Sequence, residues 1–239
     1  MPLFEHAIVI GGSIAGSLAA RVLAGQSARV TVIERDRYPA EADHRAGVPQ
    51  SHHVHILLVR GLELMEGLLP GFKDELIRQG GRQGSLLRQN PTFLYRNWIP
   101  LPKQDLEGMA ASRPLIETVL RQMIIRQCPQ IVWETEHQAV NLVVAEGRVR
   151  GVEVQAAGQN SQRRILSADV VVDASGRDSN LPDWLERLGY RLPPPTVVNA
   201  HVGYTTGWFE PPAGARRVDW EGLIVRSPAN PTMRSAVIA

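Results

Sequence analysis

An α/β fold built on a parallel sheet is the class this sequence predicts, and three stretches predict it. Ala7 to Gly16, AIVIGGSIAG, is an apolar run that breaks into a Gly-rich turn and resumes at helical spacing (Ile14, Leu18, Ala19, Val22), the pattern of strand, tight turn and helix. VTVIERD then carries a second apolar run, Arg29 to Ile33, to an acid at Glu34, which completes a Rossmann-type βαβ unit. Far along the chain, Ala168 to Asp173, ADVVVD, is an uninterrupted apolar run of the kind found in parallel strands buried on both faces.

The turn carries the chemistry. Gly11 can adopt the backbone angles of a sharp strand exit, and Gly16 lets helix and strand approach closely. The free N–H groups at the helix start then face an incoming pyrophosphate, so a dinucleotide is the natural ligand. Glu34, closing the second strand, is placed to accept both hydroxyls of an adenosine ribose and to repel a 2′-phosphate. The motif reads G-x-S-x-x-G, with Ser13 where the fingerprint has its second glycine; serine is small, and its hydroxyl can itself bond a phosphate oxygen. The competing reading is a Gly-rich turn that binds nothing. Strand, turn, helix, second strand and acid falling in order argue against it.

The totals exclude several classes. A chain of 239 residues makes one large or two modest domains and buries about 70–75% of its unfolded surface. Lys+Arg 26 against Asp+Glu 24 gives a net charge of +2, and no basic run has interleaved aromatics, so nothing supports a nucleic-acid surface. Cys128 is the single cysteine, which rules out an internal disulfide and any Cys-rich metal site. No apolar run approaches ~18 residues and no basic-then-apolar leader opens the chain, so the expectation is a cytoplasmic protein without a transmembrane segment.

Along the chain, a polar loop after Glu34 leads to an apolar run from Val54 to Val59, and would lie over a cofactor bound at the first motif. His44, His52, His53 and His55 lie in it, but no carboxylate or cysteine has a supporting spacing, so they read as hydrogen-bonded loop histidines and no metal site is expected. Gly61 to Leu69 has helical spacing (Leu62, Leu64, Met65, Leu68, Leu69) and stops at Pro70-Gly71, and Arg82 to Leu101 is extended. Ser112 reads as an N-cap and Pro114 as an early helical residue, ahead of Leu115, Ile116, Val119, Leu120, Met123 and Ile124 on one face; the helix ends before Cys128-Pro129. Arg113, at its start, can pair with a phosphate at the neighbouring helix N-terminus or simply be solvated.

From Ile131 the pattern is that of an antiparallel meander: Ile131 to Trp133, Ala139 to Val144, a turn at Glu146-Gly147, Val149 to Val154, a turn at Gly158-Gln159-Asn160, and Arg164 to Leu166. ADVVVD follows and ends in Asp173-Ala174-Ser175-Gly176-Arg177, an acid and small residues where open α/β sheets bind ligands. Leu181 to Leu188 is a short helix closed by Gly189. After Pro193-Pro194-Pro195, Thr196 onwards alternates like a strand, with Val202, Tyr204, Thr206 and Trp208 on one face, and the final RSAVIA stops in mid-strand.

With these pieces placed, the order GGSIAG, ERD, HRAGVPQ, SRPLIETVL, meander and ADVVVDASGR resembles the amino-terminal half of the FAD-dependent monooxygenases of the para-hydroxybenzoate hydroxylase class, in the squalene- and polyether-epoxidase-like branch. The resemblance implies a Rossmann-like FAD-binding domain, residues 1–59 and 111–192, with a β-meander crossover. Part of an α+β substrate domain would take residues 60–110 and 193–239. It implies that Gly11, Gly12, Ser13, Ala15 and Gly16 hold the pyrophosphate, that Glu34 holds the ribose and that Arg35 lies beside the adenine. Arg45 and Arg113 would contact the phosphates or ribityl chain, the Val140 backbone the adenine, and Asp173 and Gly176 would serve FAD and a passing NAD(P)H. The implied activity transfers one oxygen atom of O2 to a small organic substrate; no acid, base or nucleophile is named, because the cofactor carries that chemistry. Two departures stand out: the family's Asp-Gly is spelled Asp-Ala-Ser-Gly, and its later Gly-Asp motif has no counterpart after Asp173, so a carboxyl-terminal half is expected to be missing. NWIPLP weakly resembles the Trp-x-Trp-x-Ile-Pro signature of flavin-dependent halogenases, without its first Trp. An FAD reductase or halogenase relative and a non-catalytic FAD-domain remnant remain as alternatives.

Overall fold

The computed structural model describes residues 1–94, 96–158, 162–216, 218–226 and 235–238. In chain order, β1 (Phe4–Ile10), α1 (Ile14–Ala24) and β2 (Ser27–Ile33) form the opening unit. A short β3 (Ile56–Leu57), helices α2 (Val59–Leu68) and α3 (Phe72–Arg78), and strands β4 (Arg82–Ser85), β5 (Thr92–Leu94), β6 (Asn97–Trp98) and β7 (Glu107–Ala110) follow. Helix α4 (Arg113–Gln127) leads to β8 (Ile131–Glu134), β9 (His137–Ala145), β10 (Arg148–Ala156), β11 (Arg163–Ser167) and β12 (Val170–Asp173). Helix α5 (Leu181–Arg187), β13 (Leu223–Arg226) and β14 (Ala236–Ile238) complete the set.

The central sheet is parallel, in the order β12-β1-β2-β8. Its registers pair Ile10 with both Ile33 and Asp173, and Ile33 with Glu134, so the carboxyl ends of all four strands are level. Every residue that follows those ends is thereby delivered to one edge. Strand β1 is buried on both faces: Ala7 and Val9 pack with Val30, Val32, α1 and α4, whereas Ile8 and Ile10 pack with Leu142, Val152 and Val154 of the meander and with Trp184 of α5. The period-2 alternation of an apolar strand divides it between the two cores.

Strands β9, β10 and β11 form the antiparallel meander. The hairpin between β9 and β10 turns on Glu146 and Gly147, both at positive φ (53° and 70°), which gives a two-residue loop the twist its strands need. Ile131–Glu134 is not part of it: β8 pairs parallel with β2, because the carbonyl-to-amide ladder of β2 has a free side that an apolar strand leaving α4 can fill. The predicted turn at Gln159-Asn160 lies outside the described residues.

The remaining runs take definite form, and one further expectation, the strand from Thr196, is corrected. The run Val54 to Val59 yields only the two-residue β3 before α2 begins at Val59. On α2, Leu62 and Met65 are buried, but Leu64 is half exposed, on the far side of the helix. From Thr196 to Trp208 no strand forms; Val202, Tyr204 and Trp208 stand exposed, and among the described residues no strand pairs with them. Within RSAVIA, Ala236–Ile238 pairs antiparallel with β13, and Arg234 and Ala239 lie outside the described residues. Arg82 to Leu101 resolves into β4, β5 and β6, which belong to two small sheets, β3-β7-β4 and β14-β13-β5-β6.

Candidate dinucleotide site

The site lies at the carboxyl edge of the parallel sheet. Gly11 leaves β1 at φ +92°, and a Cβ there would sit 2.5 Å from the Ala174 carbonyl oxygen. A Cβ on Gly16 would sit 1.7 Å from the Gly11 carbonyl oxygen. Neither position admits a side chain, so the turn from β1 to α1 packs backbone on backbone against both its own helix and the turn that follows β12.

Ser13 is the N-cap of α1, yet its hydroxyl makes no capping bond. It donates instead to Glu117 Oε1 at 2.7 Å and accepts from Arg113 Nη2 at 2.9 Å. The first-turn amides of α1 are therefore left without a side-chain acceptor, and an anion placed there meets both N–H groups and the positive end of the helix dipole. Gly12 sits between two neighbours: its N–H donates to Glu34 Oε2 at 2.9 Å, and its carbonyl accepts the Tyr38 hydroxyl at 3.0 Å. A Cβ on Gly12 would fall 1.9 Å from that hydroxyl oxygen.

Charged groups surround this turn. Glu34 is buried, and its second oxygen accepts the Asp36 N–H at 2.9 Å. The Arg45 guanidinium joins three carboxylates, at 2.8 Å from Asp36, 3.1 Å from Glu117 and 3.2 Å from Glu34. Burial opposes its charge most, but Glu34 and Glu117 outweigh that and raise its pKa. Arg113 donates Nε to Glu117 Oε1 at 2.7 Å. Burial likewise works against ionising Glu117, but bonds from Ser13 and Arg113, with the charges of Arg45 and Arg113, hold its carboxyl below the ordinary range.

Glu117 is the residue that sequence reasoning missed. The periodicity from Leu115 to Ile124 reads as a single apolar face, whereas α4 also buries Glu117, Thr118 and Arg121. The available signal was the four-residue spacing of Arg113, Glu117 and Arg121, which places all three on one side of the helix. Tyr38 was missed as well. Its ring lies edge-on to Trp133 at 5.8 Å and under the Arg121 guanidinium at 4.1 Å, and burial, then the charge of Glu34, pushes its pKa up.

The other predicted residues divide. Ala15 is exposed in the first turn of α1, beside the open amides. Arg35 is exposed and close to Gly47, whose N–H donates to Asp36. Val140 falls at a register shift in the β9–β10 pairing, where Asn141 faces Glu153 and Ala139 faces Val154; the extra residue of a bulge is freed from the ladder. Asp173 is turned onto its own loop, accepting from the Ser175 N–H at 3.0 Å and from the hydroxyls of Ser175 and Ser179. Gly176, at φ +97°, lies within that loop with open space at its missing Cβ.

The loop histidines make separate contacts. His44 stacks on His52 at 3.8 Å, His53 Nδ1 meets the Thr206 hydroxyl, and His55 Nδ1 meets the His53 carbonyl. Among the described residues no group of three metal-ligating side chains converges. A separate cavity of about 610 Å³ lies on the meander side of the sheet, lined by Val171, Leu142, Leu181 and Arg148, and meets the site at Asp173.

A glycine cradle that no Cβ can enter, an uncapped helix start, arginines at its rim and an acid at the end of β2 fit a dinucleotide. Residues 7–179 match the FAD dependent oxidoreductase family, and the chain belongs to it. Protein Rv3254 of Mycobacterium tuberculosis is 33% identical over 227 residues, which cover 88% of this chain and 46% of that protein. A flavin-dependent halogenase, armH4 of Armillaria mellea, is 24% identical over 74% of this chain and 33% of its own length. Among solved structures, PqsL, described as a probable FAD-dependent monooxygenase from Pseudomonas aeruginosa, superposes with a TM-score of 0.55 at 18% identity, covering 79% of this chain and 47% of that one. The chain thus spans less than half the length of each.

Proposed function

We propose that this chain is the FAD-holding part of a flavin monooxygenase of epoxidase type. In this reading, substrate, O2, NAD(P)H and a proton give oxygenated product, water and NAD(P)+, with one oxygen atom entering a small organic molecule. FAD, when bound, supplies the redox chemistry; the protein supplies binding, orientation and exclusion of water. The observation that carries the reading is the turn between β1 and α1, with its open helix start facing Arg113 and Arg45 and with Glu34 fixed beside Gly12.

In the same reading each residue takes a role compatible with its position. Gly11, Gly12, Ser13, Ala15 and Gly16 receive the diphosphate, with Arg113 free to turn from Glu117 to a phosphate oxygen. Glu34 meets the ribose hydroxyls, Arg35 flanks the adenine, and the freed backbone of Val140 meets its edge. Asp173 and Gly176 border the flavin end, where NAD(P)H passes. Residues 1–59 and 111–192 form the cofactor domain in this reading, and 60–110 with 193–239 contribute to a substrate domain that a carboxyl-terminal half completes. Halogenase chemistry on the same cofactor half is the second reading, favoured by the identity to the Armillaria mellea halogenase.

The test is a visible absorption spectrum after gel filtration of the protein with FAD, followed by oxygen uptake with NADH or NADPH and alkene or aromatic substrates, with and without halide. Retained flavin bands with halide-independent, substrate-stimulated uptake support the monooxygenase. Halide-dependent product formation favours the second reading, and loss of all flavin overturns both.

A further inference from the structure

We propose that Arg121 is a reserve counter-ion: when a dinucleotide diphosphate draws the Arg113 guanidinium onto its oxygens, Glu117 exchanges Arg113 for Arg121, and the glycine turn stays in place. The inference rests on the reading of the cradle as an FAD site. It makes Arg121 a positioning residue, acting through Glu117 and Tyr38.

Four observations lead to it. Arg113, Glu117 and Arg121 form an i, i+4, i+8 ladder on α4, and Glu117 is bonded to the arginine one turn before it while the one a turn after it waits. The waiting pair has the Glu-before-Arg order that favours an ion pair on a helix. Arg121 is only 8% exposed, and among the described residues its guanidinium makes neither a hydrogen bond nor an ion pair; it rests on the face of Tyr38. A largely buried guanidinium that no carboxylate bonds is costly, and arginine cannot escape the cost by losing its proton. Its position makes sense if another state of the site supplies the partner.

Arg113 is the member of the cluster able to leave. Its side chain is 18% exposed against 7% for Arg45, and among the described residues it is held only by Glu117 and Ser13, at the lip where the diphosphate arrives. Its departure strips Glu117 Oε1 of an ionic donor inside a buried site. Burial and the charge of Arg45 lower the Arg121 pKa against the pull of Tyr38, Glu117 and Glu34, so a closer approach to Glu117 relieves Arg121 as well.

The test is a double-mutant cycle of Glu117→Gln and Arg121→Met, read once as urea unfolding of the cofactor-free protein and once as FAD and ADP affinity by fluorescence titration. Without cofactor, R121M is expected to be as stable as the parent or more so, since it removes a buried charge that no carboxylate bonds, and its coupling to E117Q is small. In binding, R121M alone weakens FAD and ADP by about tenfold or more, the two substitutions are non-additive, and Arg121→Lys restores most of the affinity. R121M affinity within about twofold of the parent, or equal coupling in unfolding and in binding, overturns the exchange. If R121M does not fold, R121K carries the comparison: affinity for FAD and ADP near that of the parent supports the exchange, and a large loss despite parental stability overturns it. Should the parent protein bind neither FAD nor ADP, the reading of the cradle itself falls, and the exchange with it.

Discussion

Gly16 shows how much a single missing methyl group can decide. With the Gly11 carbonyl oxygen 1.7 Å from where its Cβ would be, Gly16→Ala must push α1 off the turn; a loss of at least about 1–3 kcal/mol in urea unfolding and a collapse of FAD affinity are expected. His6 makes a different kind of prediction. It is buried between Thr31 Oγ1 at 2.8 Å and the Ser167 carbonyl at 2.6 Å, and burial first, with the Arg29 guanidinium, lowers its pKa below 6.5. Below that pH the unfolded chain takes up a proton that the folded one refuses, so this contribution is full above pH 6.5 and is lost as pH falls. The urea midpoint should therefore drop from pH 7 to pH 5.5, and less steeply in His6→Gln; an unchanged slope would remove His6 as the cause.

Helix α4 connects the cofactor turn to the rest of the sheet, and its start is fixed by Ser112, whose hydroxyl accepts the Leu115 N–H at 3.2 Å. Ser112→Ala should cost about 1 kcal/mol, measured by chemical denaturation, and should weaken FAD binding because Arg113 is the next residue. Much of this element was legible in the sequence: cap, early proline, apolar spacing and stop are all local signals. The same holds for the glycine turn, the meander hairpin and β12. The spacing of Glu117 and Arg121 puts them on one side of α4, but their burial was not legible, because it is decided by Tyr38, Arg45 and Ser13, which reach them from distant parts of the chain. Ile131–Glu134 was misplaced for a related reason, since its own residues suit either sheet and only the free side of β2 decides. Residues 196–208 have the alternation of a strand but no partner strand among the described residues, and alternation without a ladder does not make one.

At the scale of the whole molecule, the site is assembled from the ends of β1, β2, β12 and the start of α4, so a ligand there ties the sheet together. FAD at about a hundred times its Kd should raise unfolding stability by about 2.7 kcal/mol, readable as an upward shift in Tm that FMN, lacking the adenosine, does not reproduce. The pairing of β1 with β12, and the contact of Gly11 with the Ala174 carbonyl, join residues more than a hundred and sixty positions apart. Such a closure is slow, because the entropy of the loop is lost before the ladder is gained. During synthesis β1 can pair with β2 early, but its other edge has no strand to pair with until the ribosome has released Val170–Asp173. Arrest of translation before that point should therefore leave a polypeptide that contains every residue of the glycine motif and captures no cofactor, which FAD retention by a chain truncated before Val170 would check.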